Sequence, residues 1–331
     1  MTTPSPGADL RIAFWNTWLL APRVTRRGPR IPDLNHWFGP EVDRRAPLVA
    51  AAVRDRFDVV ALSEVFERSE LDAVDAAWPA ATLVRGPAAT RFRLQPSGLA
   101  TFVAPGVELV RTASATYRSG GDVRDADTYA TKGALLTTVR ARADLPPVDV
   151  ISTHLFAGGD LLPIPGSDDD ARHHVVRMAQ VDELIGFIER EHDPSHVLLV
   201  AGDLNVPAHD PDPRLADPAD RYRDLAAHLD RAGLHDVWPV HGIGPGPTCS
   251  FEPDDELPPD ADEPDLVEDR EDDPAGERID YLWLRVPDAL ADRVEVGRPR
   301  RWAFGGRGVT GGPAGSLSDH LALSVTLRLR A

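Results

Sequence analysis

A chain of 331 residues that is 42% hydrophobic can bury a sizeable core, and no apolar run in it approaches the ~20 residues of a membrane span. Cys249 is the only cysteine, which excludes an intrachain disulfide and permits a reducing compartment. The formal net charge is −17, but residues 252–277 carry fourteen acids against one base, Arg270; the rest of the chain is nearly balanced, and no basic stripe with interleaved aromatics marks a dedicated nucleic-acid binder.

In chain order, residues 11–16 and 58–63 read as buried strands, with a helix over 42–56 between them (Val42, Ala46, Val49, Val53). Pro47 places the start of the regular helix near itself, since proline is tolerated in a first turn. Segments 97–103, 107–113, 132–141 and 147–154 read as an antiparallel meander. Residues 172–191 form an amphipathic helix with Val175, Met178, Val181, Leu184, Ile185 and Ile188 on one stripe. A strand at 196–202, a helix near 219–232, and strands near 279–285 and 321–329 complete the pattern. Mixed strand runs and helices of this kind predict stacked sheets covered by helices, and no repeat of solenoid or propeller period is visible. Residues 21–40 are irregular. The Pro-rich acidic stretch 252–277 is expected to be a solvated, mobile loop in a single catalytic domain spanning 1–331. The start, Met1-Thr-Thr-Pro-Ser-Pro-Gly, has no basic n-region and no apolar h-region, so the expectation is a cytoplasmic protein.

Polar residues stop the apolar runs. Asn16 follows Ile12-Ala13-Phe14-Trp15, Glu64 follows Val59-Val60-Ala61-Leu62-Ser63, and His154 follows Val150-Ile151-Ser152-Thr153. Asp203 and Asn205 follow Val197-Leu198-Leu199-Val200-Ala201, and Ser318-Asp319-His320 precedes the last strand. Polar groups collected at strand ends are what a metal-assisted hydrolytic site requires. Asp203 and Asn205, two residues apart on a strand, would share a side, where they could orient a water and hold a phosphoryl oxygen; the alternative is an Asx turn closing the strand. A carboxylate at the end of a buried strand is costly unless paired or bound to a cation, so Glu64 reads either as a ligand of a hard cation such as Mg²⁺ or as an exposed strand end. His154 reads as a site residue or as a core histidine. Adjacent side chains on a strand point apart, so Asp319 and His320 divide their tasks, and Asp280, opening another strand, is the candidate carboxylate to orient His320, with Asp203 the alternative. His173 and His174, at the start of the long helix, read as surface residues, and Cys249 as a small buried one.

Taken together, Asn16, Glu64, His154, Asp203-x-Asn205, Asp280-Tyr281 and Ser318-Asp319-His320 resemble, in order, the motifs of the endonuclease/exonuclease/phosphatase superfamily with the DNase I-like fold. Within it the chain looks most like bacterial sphingomyelinase C-type phosphodiesterases. The stretches that carry this are Leu62-Ser63-Glu64-Val65-Phe66, Thr131-Lys132-Gly133, Thr153-His154-Leu155, Arg177-x-x-Gln180 and Gly202-Asp203-Leu204-Asn205-Val206. The resemblance implies an α/β fold, a four-layer α/β/β/α sandwich of two mixed sheets flanked by helices. It implies Mg²⁺ (or Mn²⁺ or Ca²⁺) at Glu64 with Asn16, and Asp319 supporting the base or a second metal. It further implies His154 stabilising the phosphoryl group, Asp203 orienting water, Asn205 holding phosphate and His320 as general base; Lys132 and Arg177, from the quoted stretches, fall to substrate binding. The region corresponding to the family's exposed aromatic hairpin is Arg300-Arg301-Trp302-Ala303-Phe304-Gly305-Gly306.

The expected activity is metal-dependent hydrolysis of a phosphodiester by in-line water attack, on a phospholipid or other small phosphodiester. Peripheral membrane contact and no obligate protein partner go with it. The alternatives are a nuclease, which needs a basic DNA-facing surface, and a phosphatase of sugar or inositol phosphates, whose extra phosphates Arg23, Arg26, Arg27 and Arg30 could meet.

Overall fold

The structure, a computed structural model, describes residues 7–22, 28–30, 38–90, 93–122, 125–158, 170–208, 218–249, 257, 260, 263–273, 276–305, 307–312 and 315–331. β1 (Ala8–Asn16) lies centrally in a seven-stranded sheet. It runs parallel to β2 (Val59–Ser63), and α1 (Val42–Val53) makes the crossover between them. After α2 (Arg68–Ala77), β3 (Thr82–Arg85) and β4 (Ala100–Val103) extend this sheet beyond β2. The second sheet has six strands. It opens with β5 (Glu108–Thr116), β6 (Gly133–Arg140) and β7 (Val148–His154), which pair antiparallel in sequence order. α3 (Asp170–Glu191) then crosses to β8 (Val197–Asp203), parallel to β7. α4 (Pro218–Asp230), β9 (His235–Asp236), α5 (Val237–His241) and β10 (Asp280–Arg285) complete that half, with β10 antiparallel to β8. The chain returns to the first sheet with β11 (Val294–Val296), β12 (Arg300–Trp302) and β13 (Ala322–Leu329), the last antiparallel to β1.

Period-two alternation explains the layering. Leu10, Ile12 and Phe14 of β1 face the other sheet and pack in one core with Val148, Val150, Leu199 and Leu282. Ala13 and Trp15 face the opposite way, into a core shared with Val42, Ala46, Val49 and Val53 of α1. On the far side, Ile151, Leu198, Val200 and Tyr281 meet Val181, Leu184 and Ile188 of α3 and Leu225 of α4. Strands covered on both faces read as continuous apolar runs, as β2 and β8 do. The result is helices, sheet, sheet, helices, with both sheets mixed.

Several expectations need correction. The strand over 97–103 is not part of the meander; as β4 it pairs with β2 and β3 in the other sheet, because Ala100 and Phe102 belong to the α1-side core. Pro47 sits inside α1 rather than at its start: Glu41, in the left-handed region, accepts from Arg44 and Arg45 and begins the helix a turn earlier. The acidic stretch is not solvated throughout. In its described part, Leu266 and Val267 are buried, and Asp269 and Asp273 are closed off by the buried guanidinium of Arg301 at 2.9 and 2.8 Å. The remainder, 252–256, 258–259, 261–262 and 274–275, lies outside the described residues. Trp302 and Phe304 stack in the core and form no exposed hairpin. His173 is buried against Phe156 and bonded to Asp125, not at the surface. Among the described residues no helix is long and apolar enough to cross a membrane.

Candidate active site

Registry brings the polar stops together. In the parallel pair β1–β2, Asn16 lies opposite Ser63, one residue before Glu64; in the parallel pair β7–β8, His154 lies opposite Asp203. Antiparallel β10 begins at the same level, with Asp280 opposite Asp203. The segment before β13 arrives from the other side: Ser318 Oγ donates to the Asn16 carbonyl at 2.7 Å, and the Trp15 indole donates to the His320 carbonyl at 3.0 Å. Two sheets thus deliver their polar ends to one edge of the sandwich.

Glu64 is held in an uncommon backbone conformation, φ +60°, as the chain leaves β2. Gly98, at φ +68°, makes this turn feasible, since a Cβ there would lie 3.2 Å from the Glu64 Cα and 3.0 Å from the Phe66 ring. The Asn16 amide nitrogen donates to Glu64 Oε1 at 3.0 Å and to Asp203 Oδ2 at 2.9 Å. Its oxygen accepts from the Trp18 N–H at 3.1 Å, which fixes the amide's orientation. Asn16 therefore ties the two carboxylates together through its amide nitrogen.

His320 Nδ1 lies 2.8 Å from Asp280 Oδ2, and its Nε2 lies 3.9 Å from Asp203 Oδ2. Burial disfavours the imidazolium but is outweighed by the Asp280 charge and by Cys249, so the His320 pKa stands well above the ordinary histidine value. His154 is the opposite case. Burial, then the charges of Lys132 and His320, hold its pKa well below that value, and neither ring nitrogen has a hydrogen-bond partner among the described residues. Its Nε2 points between Asp203 Oδ2 at 3.6 Å and Glu64 Oε1 at 3.9 Å. Two histidines a short distance apart thus have opposite protonation tendencies, one set by a carboxylate and the other by burial.

The acids show a shortage of positive charge. Burial and the neighbouring Asp319 push Glu64 up to about 7, against the Asn16 hydrogen bond. Burial and Asp280 push Asp203 up to about 6. Asp319 is likewise raised, mainly by burial. Glu64 Oε2 is buried without a hydrogen-bond partner, and Glu64, His154 and Asp203 present donor atoms within 4.8 Å of one another. Crowded, partly unsatisfied carboxylates of this kind fit a hard divalent cation, with Glu64 as its charged ligand and Asp319 beside it.

Asn205 is also left-handed, φ +51°. β8 ends at Asp203, whose Oδ1 accepts from the Asn205 N–H at 3.0 Å, so the Asx turn is present and strand alternation does not continue through Asn205. The Asn205 amide donates one hydrogen to the Leu155 carbonyl at 3.2 Å. Lys132 is buried, with Nζ 3.0 Å from Asp127 Oδ2. Arg177 is engaged by the carbonyls of Phe156 and Ala157, at 2.9 and 3.0 Å. These contacts fasten the loop after His154.

Thr248 and Arg45, not singled out in the sequence, also shape the site, and Cys249 joins them. Thr248 accepts from the Asp280 and Ile279 N–H groups at 3.2 and 3.3 Å and takes the Leu321 N–H on its carbonyl, joining β10 to the His320 segment. Arg45, fully buried, gathers the carbonyls of Thr17, Trp18, Pro40 and Leu317 around the site. Cys249 stands beside His320. Arg45 left a trace in the sequence as a charge on the apolar side of α1, and Cys249, expected to be buried, is half-buried.

Beside these residues opens a cavity of about 660 Å³. Glu64, His154 and Asp127 supply its polar floor; Leu20, Pro22, Phe38, Phe66, Leu94 and Tyr129 are among its walls.

The family model described as endonuclease/exonuclease/phosphatase family matches residues 13–320. The comparison with curated proteins returned no match. Among solved structures, sphingomyelinase C from Streptomyces griseocarneus is similar at a TM-score of 0.61 and 19% identity, over 96% of this chain and 99% of that one. A double mutant of beta toxin from Staphylococcus aureus with bound magnesium ions matches at 0.58 and 17%, over 96% and 99%. An endonuclease/exonuclease/phosphatase family protein from Bacteroides thetaiotaomicron matches at 0.60 and 13%, over 98% of both chains. At these identities the likeness is one of fold, the DNase I-like sandwich. Dependence on a divalent metal is typical of the matched family, and the acidic cluster at Glu64 provides a site for one. The chain belongs to the endonuclease/exonuclease/phosphatase family and is a hydrolase of its phosphodiesterase and nuclease type.

Proposed function

We propose that this hydrolase is a Mg²⁺-dependent phosphodiesterase acting on a phospholipid-like diester. The observation that carries the reading is the composition of the cleft: a polar floor with Glu64 and His154 beneath largely apolar walls. An apolar-walled pocket with few convergent polar groups suits a ligand that is apolar apart from one charged group. Leu94, 81% exposed on the rim, gives such a cleft an apolar lip toward a lipid surface. The resemblance to sphingomyelinase C agrees with this choice.

In this reading His320 is the general base. Asp280 accepts from Nδ1–H, so that Nε2, once the Cys249 thiol gives way to water, takes the proton, and it also stabilises the imidazolium that forms. Asp203, 3.9 Å from Nε2, orients that water. Neutral His154 and the second amide hydrogen of Asn205 donate to the phosphoryl oxygens. A cation bound at Glu64 would offset charge on the phosphoryl and leaving oxygens.

Arg30, one of the arginines that could serve a multiply phosphorylated substrate, is committed to Asp43 and Glu70; Arg23, Arg26 and Arg27 lie outside the described residues. The test is turnover with Mg²⁺ on a panel of sphingomyelin, a lysophospholipid, plasmid DNA, inositol phosphates and a bis-aryl phosphodiester. The expected order puts a phospholipid first. Preference for DNA or for an inositol phosphate would overturn the reading.

A further inference from the structure

Cys249 takes no part in this chemistry, yet its position is defined. Its backbone exchanges hydrogen bonds with Glu277, N–H to carbonyl at 3.0 Å and carbonyl to N–H at 2.9 Å. Its thiol is hydrogen-bonded to the His320 ring. Asp319 completes a group in which one sulfur, one imidazole nitrogen and one carboxylate oxygen all lie within 4.8 Å of one another. None of the three sits on a long free side chain. The His320 ring is anchored through Nδ1 to Asp280, the carboxylate–histidine arrangement that turns the other nitrogen toward a metal.

We propose that Cys249, Asp319 and His320 form a binding site for a borderline-to-soft divalent cation of the zinc class, and that its occupation inhibits the enzyme. Donors around one tetrahedral Zn²⁺ are about 3.4–3.8 Å apart, given bonds of about 2.0–2.3 Å. The present spacing closes to that with side-chain shifts of about an ångström, and water fills the fourth position. The donor set is what separates this site from the one at Glu64. A thiolate selects zinc-like ions and is passed over by Mg²⁺, whereas the Glu64 cluster suits hard ions. Zinc here would occupy the lone pair of His320. The inhibitory consequence rests on the reading of His320 as base; the existence of the site does not.

Binding can be read without turnover. Co²⁺ serves as a spectroscopic stand-in for zinc, because a cobalt–thiolate bond absorbs in the near ultraviolet. Full-length protein should develop this band at one equivalent of Co²⁺, and added Zn²⁺ should bleach it. The band should vanish in Cys249→Ser and Cys249→Ala, persist in Glu64→Gln, and require at least about ten-fold more Co²⁺ in Asp319→Asn and His320→Gln, as loss of a ligand exceeds the effect of loss of a supporting group. In turnover assays with saturating Mg²⁺, the Zn²⁺ concentration for half inhibition should rise at least about ten-fold in Cys249→Ser relative to its own zinc-free rate. No thiolate band in the wild type, a band indifferent to His320→Gln, or equal zinc sensitivity of wild type and Cys249→Ser would each overturn the proposal. If no phosphodiester is turned over, the absorbance arms still decide the site, so its failure and that of the proposed function are distinguishable.

Discussion

Asp280 Oδ2 and His320 Nδ1, forty residues apart in sequence, meet at 2.8 Å in a pair from which solvent is nearly excluded. The pair joins the first residue of β10, in one sheet, to the segment that enters β13, in the other. Thr248 braces it from behind by holding the Asp280 N–H and the Leu321 N–H together.

The first prediction follows from the sign of this interaction. Only neutral imidazole can take a proton, so the rate should rise as pH passes upward through the His320 pKa, which Asp280 holds above the ordinary histidine value. Asp280→Asn removes that charge. The acid limb of kcat/KM should move to lower pH while the plateau rate falls. His320→Ala should abolish the limb and cost about 10²–10⁴-fold in rate, with little change in Mg²⁺ affinity. An Asp280→Asn enzyme with unaltered rate and profile would remove the pair from the mechanism.

Glu64 sets function against stability. A carboxyl whose folded pKa is raised favours the fold at low pH and loses that contribution as pH rises through, here, about 7. In chelator at pH 8, Glu64→Gln should therefore melt at a higher temperature than the wild type. Magnesium should reverse the order: at 100 times its Kd it adds about 2.7 kcal/mol to the wild type and nothing to the variant. Turnover should fall by an amount on the order of several kcal/mol in transition-state stabilisation. Thermal scans with chelator and with Mg²⁺ decide it; a Mg²⁺ shift of equal size in both proteins would place the ion elsewhere.

The parts of this site that were legible in the sequence are those set by strand periodicity. Apolar runs ending at Asn16, Glu64, His154 and Asp203 mark buried strands and their exits, and parallel pairing in register does the rest. Short or edge elements were not legible. β3 and β11 have four and three residues, too few for a period, and α2 buries little beyond Glu70 and Val74. Composition misjudged the acidic stretch because its partners lie far away in sequence: Arg56 meets Asp265, and Arg301 meets Asp269 and Asp273. The same limit explains Arg177. Its motif placed it near the site, but that the carbonyls of Phe156 and Ala157 hold its guanidinium depends on how the chain turns back after His154, which no local pattern shows.

Away from the site, Asp149 gathers the end of α3 onto β7. It accepts from Thr138 Oγ1 at 2.6 Å and lies 2.7 Å from His192 Nδ1 and 3.2 Å from His196 Nδ1. Burial alone would raise its pKa, but these hydrogen bonds hold it below the usual aspartate value. Its contribution is then present above the unfolded pKa, about 3.9, and lost as pH falls through the lower folded value. Asp149→Asn should cost roughly 1.5–3 kcal/mol at pH 7. In urea titrations the gap to the wild type should narrow once the pH drops below about 4. A gap independent of pH would mean that shape, not charge, explains the loss.

Arg301 tests whether the acidic stretch is part of the fold. Its guanidinium is fully buried: Nε donates to Asp269 Oδ1, Nη2 to Asp273 Oδ2 and Nη1 to the Pro247 carbonyl, while the group lies over the Trp238 ring. Asp269 keeps Arg298 on its other oxygen at 2.7 Å, but Asp273, nearly as deeply buried, loses the guanidinium that faces it, so removing the arginine leaves a carboxylate in the interior without that partner. Arg301→Ala should therefore destabilise by roughly 3–5 kcal/mol, far beyond the value of a surface ion pair. The triple variant Arg301→Met with Asp269→Leu and Asp273→Leu should recover much of that loss, because apolar side chains need no partner. Amide exchange should report the locality, with protection falling first at Leu266 and Val267 and last in β1 and β8. Should Arg301→Ala cost under 1 kcal/mol and leave that protection unchanged, the stretch would be held by its apolar contacts alone and the buried ion pairs would have no structural part.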